Sequence, residues 1–110
     1  MAYDEDLAAR IRELLSGEPD VTEKRMFGGL AFLAGGNMAV AASGQGGLLV
    51  RVDPEDRGLL EEPHASPMVM RGREMHGWLR VDAEGVRTTD QLQPWVARGL
   101  AYARSLPAKG

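Results

Sequence analysis

The stretch from Lys24 to Val52 restricts the fold more than any other part of the chain. Three short apolar segments are set apart by two glycine-rich turns: Lys24-Arg25-Met26-Phe27-Gly28-Gly29-Leu30-Ala31-Phe32-Leu33, then Met38-Ala39-Val40-Ala41-Ala42, then Leu48-Leu49-Val50-Arg51-Val52. In the third segment Leu48, Val50 and Val52 share one face and Leu49 and Arg51 the other; in the second, Met38, Val40 and Ala42 oppose Ala39 and Ala41. A period of two with one apolar face is the pattern of a half-buried strand. Gly35-Gly36-Asn37 and Gly44–Gly47 supply tight-turn residues. Strands joined this closely pair antiparallel, because a parallel pair needs a long crossover. Gly28-Gly29 falls inside the first segment and is expected to form a bulge or a close backbone approach within one strand.

Helices are expected on either side of this meander. Asp4 is placed to cap a first helix, with Glu5 and Asp6 at its positive end. Leu7, Ile11, Leu14 and Leu15 form its apolar stripe, and Ser16-Gly17 with Pro19 ends it. Asp53-Pro54-Glu55-Asp56 reads as the start of a short central helix anchored by Leu59 and Leu60 and stopped by Pro63. A hairpin follows, with Met68 and Met70 on one arm, a turn at Gly72-Arg73-Glu74, and Met75, Gly77, Leu79 and Val81 alternating with His76, Trp78 and Arg80 on the other. Thr89 or Asp90 is expected to cap a long final helix whose stripe is Leu92, Trp95, Val96, Gly99, Leu100 and Ala103, with Pro94 near its first turn. The order α-β-β-β-α-β-β-α predicts a two-layer α+β domain with an antiparallel five-stranded sheet.

A chain of 110 residues is expected to form one domain, residues 1–110, and to bury roughly 65% of its unfolded surface without staples. Cysteine is absent, which excludes disulfides, thiolate metal sites and thiol nucleophiles. His64 and His76 cannot hold a metal without carboxylates, and neither a metal nor a cofactor is expected. The net charge of −3 argues against nonspecific nucleic-acid binding, which needs many uncompensated cations. No apolar run approaches the ~20 residues of a membrane span. The acidic start, Asp4-Glu5-Asp6, is unlike a secretory leader, so a cytoplasmic protein is expected.

Several segments resemble a known family. Lys24-Arg25-Met26-Phe27-Gly28-Gly29, the Gly36-Asn37-Met38 turn, Leu49-Val50-Arg51-Val52 and the Trp95–Ala103 helix are similar to the N-terminal domain of the TfoX/Sxy family, over nearly the whole chain. The resemblance implies a fold like that of type III secretion chaperones, in the order already read from the patterns. Full-length members regulate natural competence together with the cyclic-AMP receptor protein and carry a second, C-terminal domain. The Pro63–Met68 stretch and Gly77-Trp78 look like a single-domain subgroup, so a stand-alone member is expected.

Candidate site residues have competing readings. Lys24 and Arg25 beside Phe27 are an anion or nucleic-acid contact with stacking, or a solvated strand edge with Phe27 in the core. Gly28 and Gly29 lack the nucleotide-loop context. His64, held between Pro63 and Pro67, is a general base or a loop-fixing hydrogen-bonding group, with Glu61 and Glu62 the nearest acids in sequence. Met68, Met70, Met75, Met26 and Met38 are core filler or an adaptable protein-binding surface. Arg51, Arg71, Arg73 and Arg80 gather on one face, or pair with Glu74 and Asp82. Trp78 is expected on the sheet face opposite Leu79 and Val81, where a homodimer contact would cover it. No catalytic constellation is recognisable. The reading is a non-enzymatic regulatory or protein-binding domain, homodimeric, with a transcription regulator as the partner that the resemblance implies. The alternatives are a nucleic-acid module using Lys24, Arg25, Arg51, Arg71 and Arg73, and a small-molecule binder with a pocket near His64, Arg51 and Trp78.

Overall fold

The computed structural model describes residues 3–26, 28–55, 58, 62–70 and 72–107, with side chains described at all of these except Met70, Glu74, Met75 and His76. Among them are helix α1 (Glu5–Leu14), strands β1 (Val21–Met26), β2 (Gly29–Ala34), β3 (Asn37–Ala42), β4 (Leu48–Arg51), β5 (Ala65–Met70) and β6 (Arg73–Val81), a 3-10 turn (Ala83–Val86) and helix α2 (Thr89–Ser105). All pairings are antiparallel, in the order β1-β2-β3-β4-β6-β5. The domain is α+β with the helices on one face of the sheet, as expected.

The sheet has six strands rather than the expected five. Gly28-Gly29 is not a bulge inside one strand. Gly28 lies in the β1–β2 turn with φ 76°, and Gly29 begins β2, where it pairs with Met26. Gly29 must stay without a side chain, because a Cβ there would run into the Ala42 carbonyl oxygen. The expected central helix falls largely on positions outside the described residues, Leu59 and Leu60 included; Asp53 does cap the turn there, accepting from the Glu55 N–H at 2.9 Å.

Asp4 caps α1 as expected, accepting from the N–H groups of Asp6 and Leu7, and Leu7, Ile11 and Leu15 are buried. The cap of α2 is Thr88, one residue before the expected position. Its hydroxyl accepts from Gln91 N–H while the Gln91 side chain returns to the Thr88 N–H, a capping box. Leu30, Phe32, Val40, Ala42, Leu48, Val50, Leu79 and Val81 meet α1 and α2 in the main core. Met38 does not share the face of Val40 and Ala42. Phe32 pairs with Val40 and Leu33 with Met38, which leaves Ala39 as an extra, bulged residue and reverses the alternation there. Ala39 packs with Ala34 and Ala103 beneath α2, and Met38 moves to the opposite face of the sheet.

Ion pairs from two arginines tie the α1–β1 connection down. Arg12 donates to both carboxylate oxygens of Glu23, at 2.6 and 2.8 Å. Arg104 of α2 donates to both oxygens of Asp20, at 3.1 and 2.6 Å, and also to Glu18. Hydrogen bonds from these arginines hold Asp20 and Glu23 below the usual carboxylate range. A carboxylate with a depressed folded-state pKa contributes stability above its unfolded pKa and loses it as pH falls through the folded value. The melting temperature is therefore expected to fall as pH drops below about 4.5, and Arg12→Met with Arg104→Met to flatten that fall. Melting curves from pH 7 to pH 3 measure it; a wild type as stable at pH 3 as at pH 6 contradicts it.

Candidate interaction face

The face of the sheet turned away from the helices carries a second apolar cluster. Ala31, Ala41 and Leu49 are buried there, and the half-buried side chains of Met26, Leu33, Met38 and Met68 pack over them. The ladder explains the grouping, because residues directly opposite one another share a face. One row runs Lys24, Ala31, Ala41, Leu49, Arg80, Ser66 across the whole sheet. It is apolar at the centre and cationic towards both ends.

Each cation is held differently. Arg80 does not pair with Asp82. Its guanidinium donates to the Ser43 hydroxyl at 3.2 Å and to the Gln45 and Gly46 carbonyls at 3.2 and 2.9 Å, so it braces the β3–β4 turn. Arg51 lies 5.0 Å from the Trp78 ring centroid, its cross-strand neighbour, and 5.6 Å from that of Tyr102 on α2. Cation–π attraction thus holds a half-buried Trp78 at the end of the sheet. Lys24 is exposed at the β1 edge.

Of the residues singled out from sequence, the structure brings Lys24, Met68, Arg51 and Trp78 to this side or its rim. It does not bring Arg25 there. Arg25 pairs with Leu30, a main-core residue, so adjacent Lys24 and Arg25 point to opposite faces. Gly28 and Gly29 serve the β1–β2 turn. Phe27 and Arg71 lie outside the described residues. His64 has a carboxylate partner that was not expected: its Nδ1 is 3.0 Å from Asp82 Oδ1, which also accepts from the Gly85 N–H. The His64 carbonyl accepts from Asp82 N–H, and His64 itself has φ 69°. This is the loop-fixing role, built from a residue distant in sequence.

A groove of about 470 Å³ lies between the end of α1 and β1, not at His64; Leu15, Val21 and Phe32 line it, with the Arg12–Glu23 ion pair beside them. Among the described residues, no group of three or more histidine, aspartate or glutamate side chains is placed to hold a metal ion. No helix among them is long and apolar enough to cross a membrane.

A family model described as the TfoX N-terminal domain matches residues 13–103 of the 110. The chain belongs to the TfoX N-terminal domain family. No curated protein matches it. In this TfoX N-terminal domain the matched span runs from the end of α1 well into α2 and takes in all six strands. The methionine cluster, the Arg51–Trp78–Tyr102 stack and the β1 edge all lie within it.

Proposed function

We propose that this TfoX N-terminal domain is a non-enzymatic, cytoplasmic regulatory domain that works by binding proteins, in the manner of competence and transcription regulators. The observation that carries this reading is the methionine-bearing cluster on the helix-free face. Three unbranched, polarizable side chains, Met26, Met38 and Met68, lie half-buried around an alanine and leucine floor. Such side chains repack against differently shaped partners.

The partner nearest to hand is a second copy, joined through the β5–β6 hairpin. Trp78 is half-buried there, and Val69, 61% exposed, stands on the same hairpin. A two-fold contact would bury both residues on both chains at once. Wild type is expected to dimerise at tens of micromolar in sedimentation equilibrium. Trp78→Ala, checked for its fold by circular dichroism, is expected to weaken the dimer by about thirtyfold, as truncation of a central aromatic often does. A monomeric wild type, or a folded variant that associates equally well, overturns the dimer. The wider reading is tested by carbon-13 labelling of the methionine methyls. Met68, on the hairpin, is expected to shift on dimerisation, and Met26, Met38 and Met68 to shift together on adding a transcription-regulator partner; resonances that stay fixed while that partner binds overturn it.

A further inference from the structure

Strand β1 is one edge of the sheet, and the phase of its ladder shows which backbone groups face outward. Hydrogen-bonded pairs alternate along an antiparallel ladder. The Asp20 carbonyl accepts from Gly35 N–H at 3.2 Å, in the register that continues as Val21 opposite Ala34. Thr22, Lys24 and Met26 therefore bond to β2, while Val21, Glu23 and Arg25 turn their N–H and C=O groups away from the sheet. The Val21 N–H fits this phase, since it donates outside the sheet to the Glu18 carbonyl at 3.3 Å. What remains is a short outward row: the Val21 carbonyl and both backbone groups of Glu23 and Arg25.

The α1–β1 groove lies beside this edge. Glu23 stands opposite Phe32 and Arg25 opposite Leu30, so the side chains of the outward-bonding residues lie on the helix side of the sheet, where Leu15, Val21 and Phe32 line the groove. Lys24 stands opposite Ala31 on the other side. Glu23 is already held by Arg12, whereas neither Lys24 nor Arg25 has an ion-pair partner among the described residues.

We propose that β1 accepts an added β-strand from an extended peptide of alternating apolar and acidic residues. The backbone groups of Glu23 and Arg25 bond the incoming strand. An apolar side chain opposite Val21 or Glu23 enters the groove, because cross-strand neighbours share a face. The next residue lies beside Lys24 on the other face and is acidic. Backbone bonding supplies the affinity and the alternate side chains the choice of partner. The opposite edge is a poorer acceptor: in β5 Pro67 has no N–H, and the register slips between Pro67 and Val69. This edge is separate from Trp78 and meets the methionine face only through Lys24 and Met26 of β1.

The test is a randomised peptide library selected on the full wild-type chain, with the enriched peptides measured by fluorescence polarisation. Enriched sequences are expected to alternate apolar and acidic residues. N-methylation of every second peptide amide is expected to lower affinity about tenfold, and methylation of the intervening amides to change it less than about twofold. Arg25→Pro removes an outward N–H and spares the bonds to β2, so it is expected to weaken binding by a similar factor; Trp78→Ala is expected to leave it unchanged. Enrichment of no peptide, affinity indifferent to the position of the methyl group, or loss of binding in Trp78→Ala overturns the proposal. So does self-association of wild type that Arg25→Pro abolishes, which assigns the edge to a second copy. The methylation series uses unaltered protein and decides the matter even where Arg25→Pro does not fold.

Discussion

Gly99→Val is expected to destabilise the domain by about 3 kcal/mol, lowering the melting temperature by roughly 15 °C at this chain length. Gly99 sits on the buried side of α2, where the helix crosses β3. A Cβ there would overlap the Ala39 carbonyl oxygen and stand 2.8 Å from Val40 Cγ1. The oxygen belongs to the bulged backbone of β3 and has nowhere to go, so α2 must lift. Lifting it loosens Leu92, Trp95 and Val96 from the main core. Helix propensity acts in the opposite direction: a glycine in a helix interior costs up to about 1 kcal/mol relative to alanine. Gly99→Ala is consequently expected to lose less than Gly99→Val. Calorimetric scans of the three proteins check the ranking. A Gly99→Val protein melting within 2 °C of wild type would mean that α2 does not approach β3 this closely.

Phe32→Ala is expected to cost about 3–5 kcal/mol, a large share of the roughly 5–15 kcal/mol that holds such a domain together. Phe32 is 1% exposed and among the largest fully buried side chains. It stands opposite Val40 on β3 and lines the α1–β1 groove, so its loss leaves a cavity that neither sheet nor helix can close without moving the other. Urea titration should show a lower midpoint with an unchanged slope. Val69→Ala, at a position 61% exposed in the single chain, is the contrast and should stay within about 0.5 kcal/mol of wild type when both are titrated well below the concentration at which the proposed dimer forms. Equal midpoints for the two variants would place Phe32 outside the core.

The core strands were legible because burial leaves a periodic trace. Leu48, Val50 and Val52 all face the main core, as their alternation implies, and Leu7, Ile11 and Leu15 do so from α1. The Thr88–Gln91 capping box was also legible, had the spacing of a threonine and a glutamine three residues on been given weight over the later Thr89 and Asp90. Strand β1 was not. Thr22, Glu23, Lys24 and Arg25 are all exposed, and an edge strand with no buried side chain carries no hydrophobic period. Its pairing rests on backbone hydrogen bonds, which any residue but proline can make.

The remaining features depend on which distant residues meet. The slip of phase at Ala39 places Met38 with Met26 and Met68 on the helix-free face, and no local pattern announces it. Asp82, remote in sequence, answers His64 because β5 and β6 pair where the chain passes into the 3-10 turn. The Arg51 stack needs Trp78 from β6 and Tyr102 from α2 at once. The sequence by itself determined the α+β class, the antiparallel meander and the family, since those follow from periodicity, turn residues and motif. The tertiary structure decided the sixth strand, the faces that Lys24 and Arg25 take, and the groove beside the open edge, because each is set by contacts between segments that the sequence keeps apart.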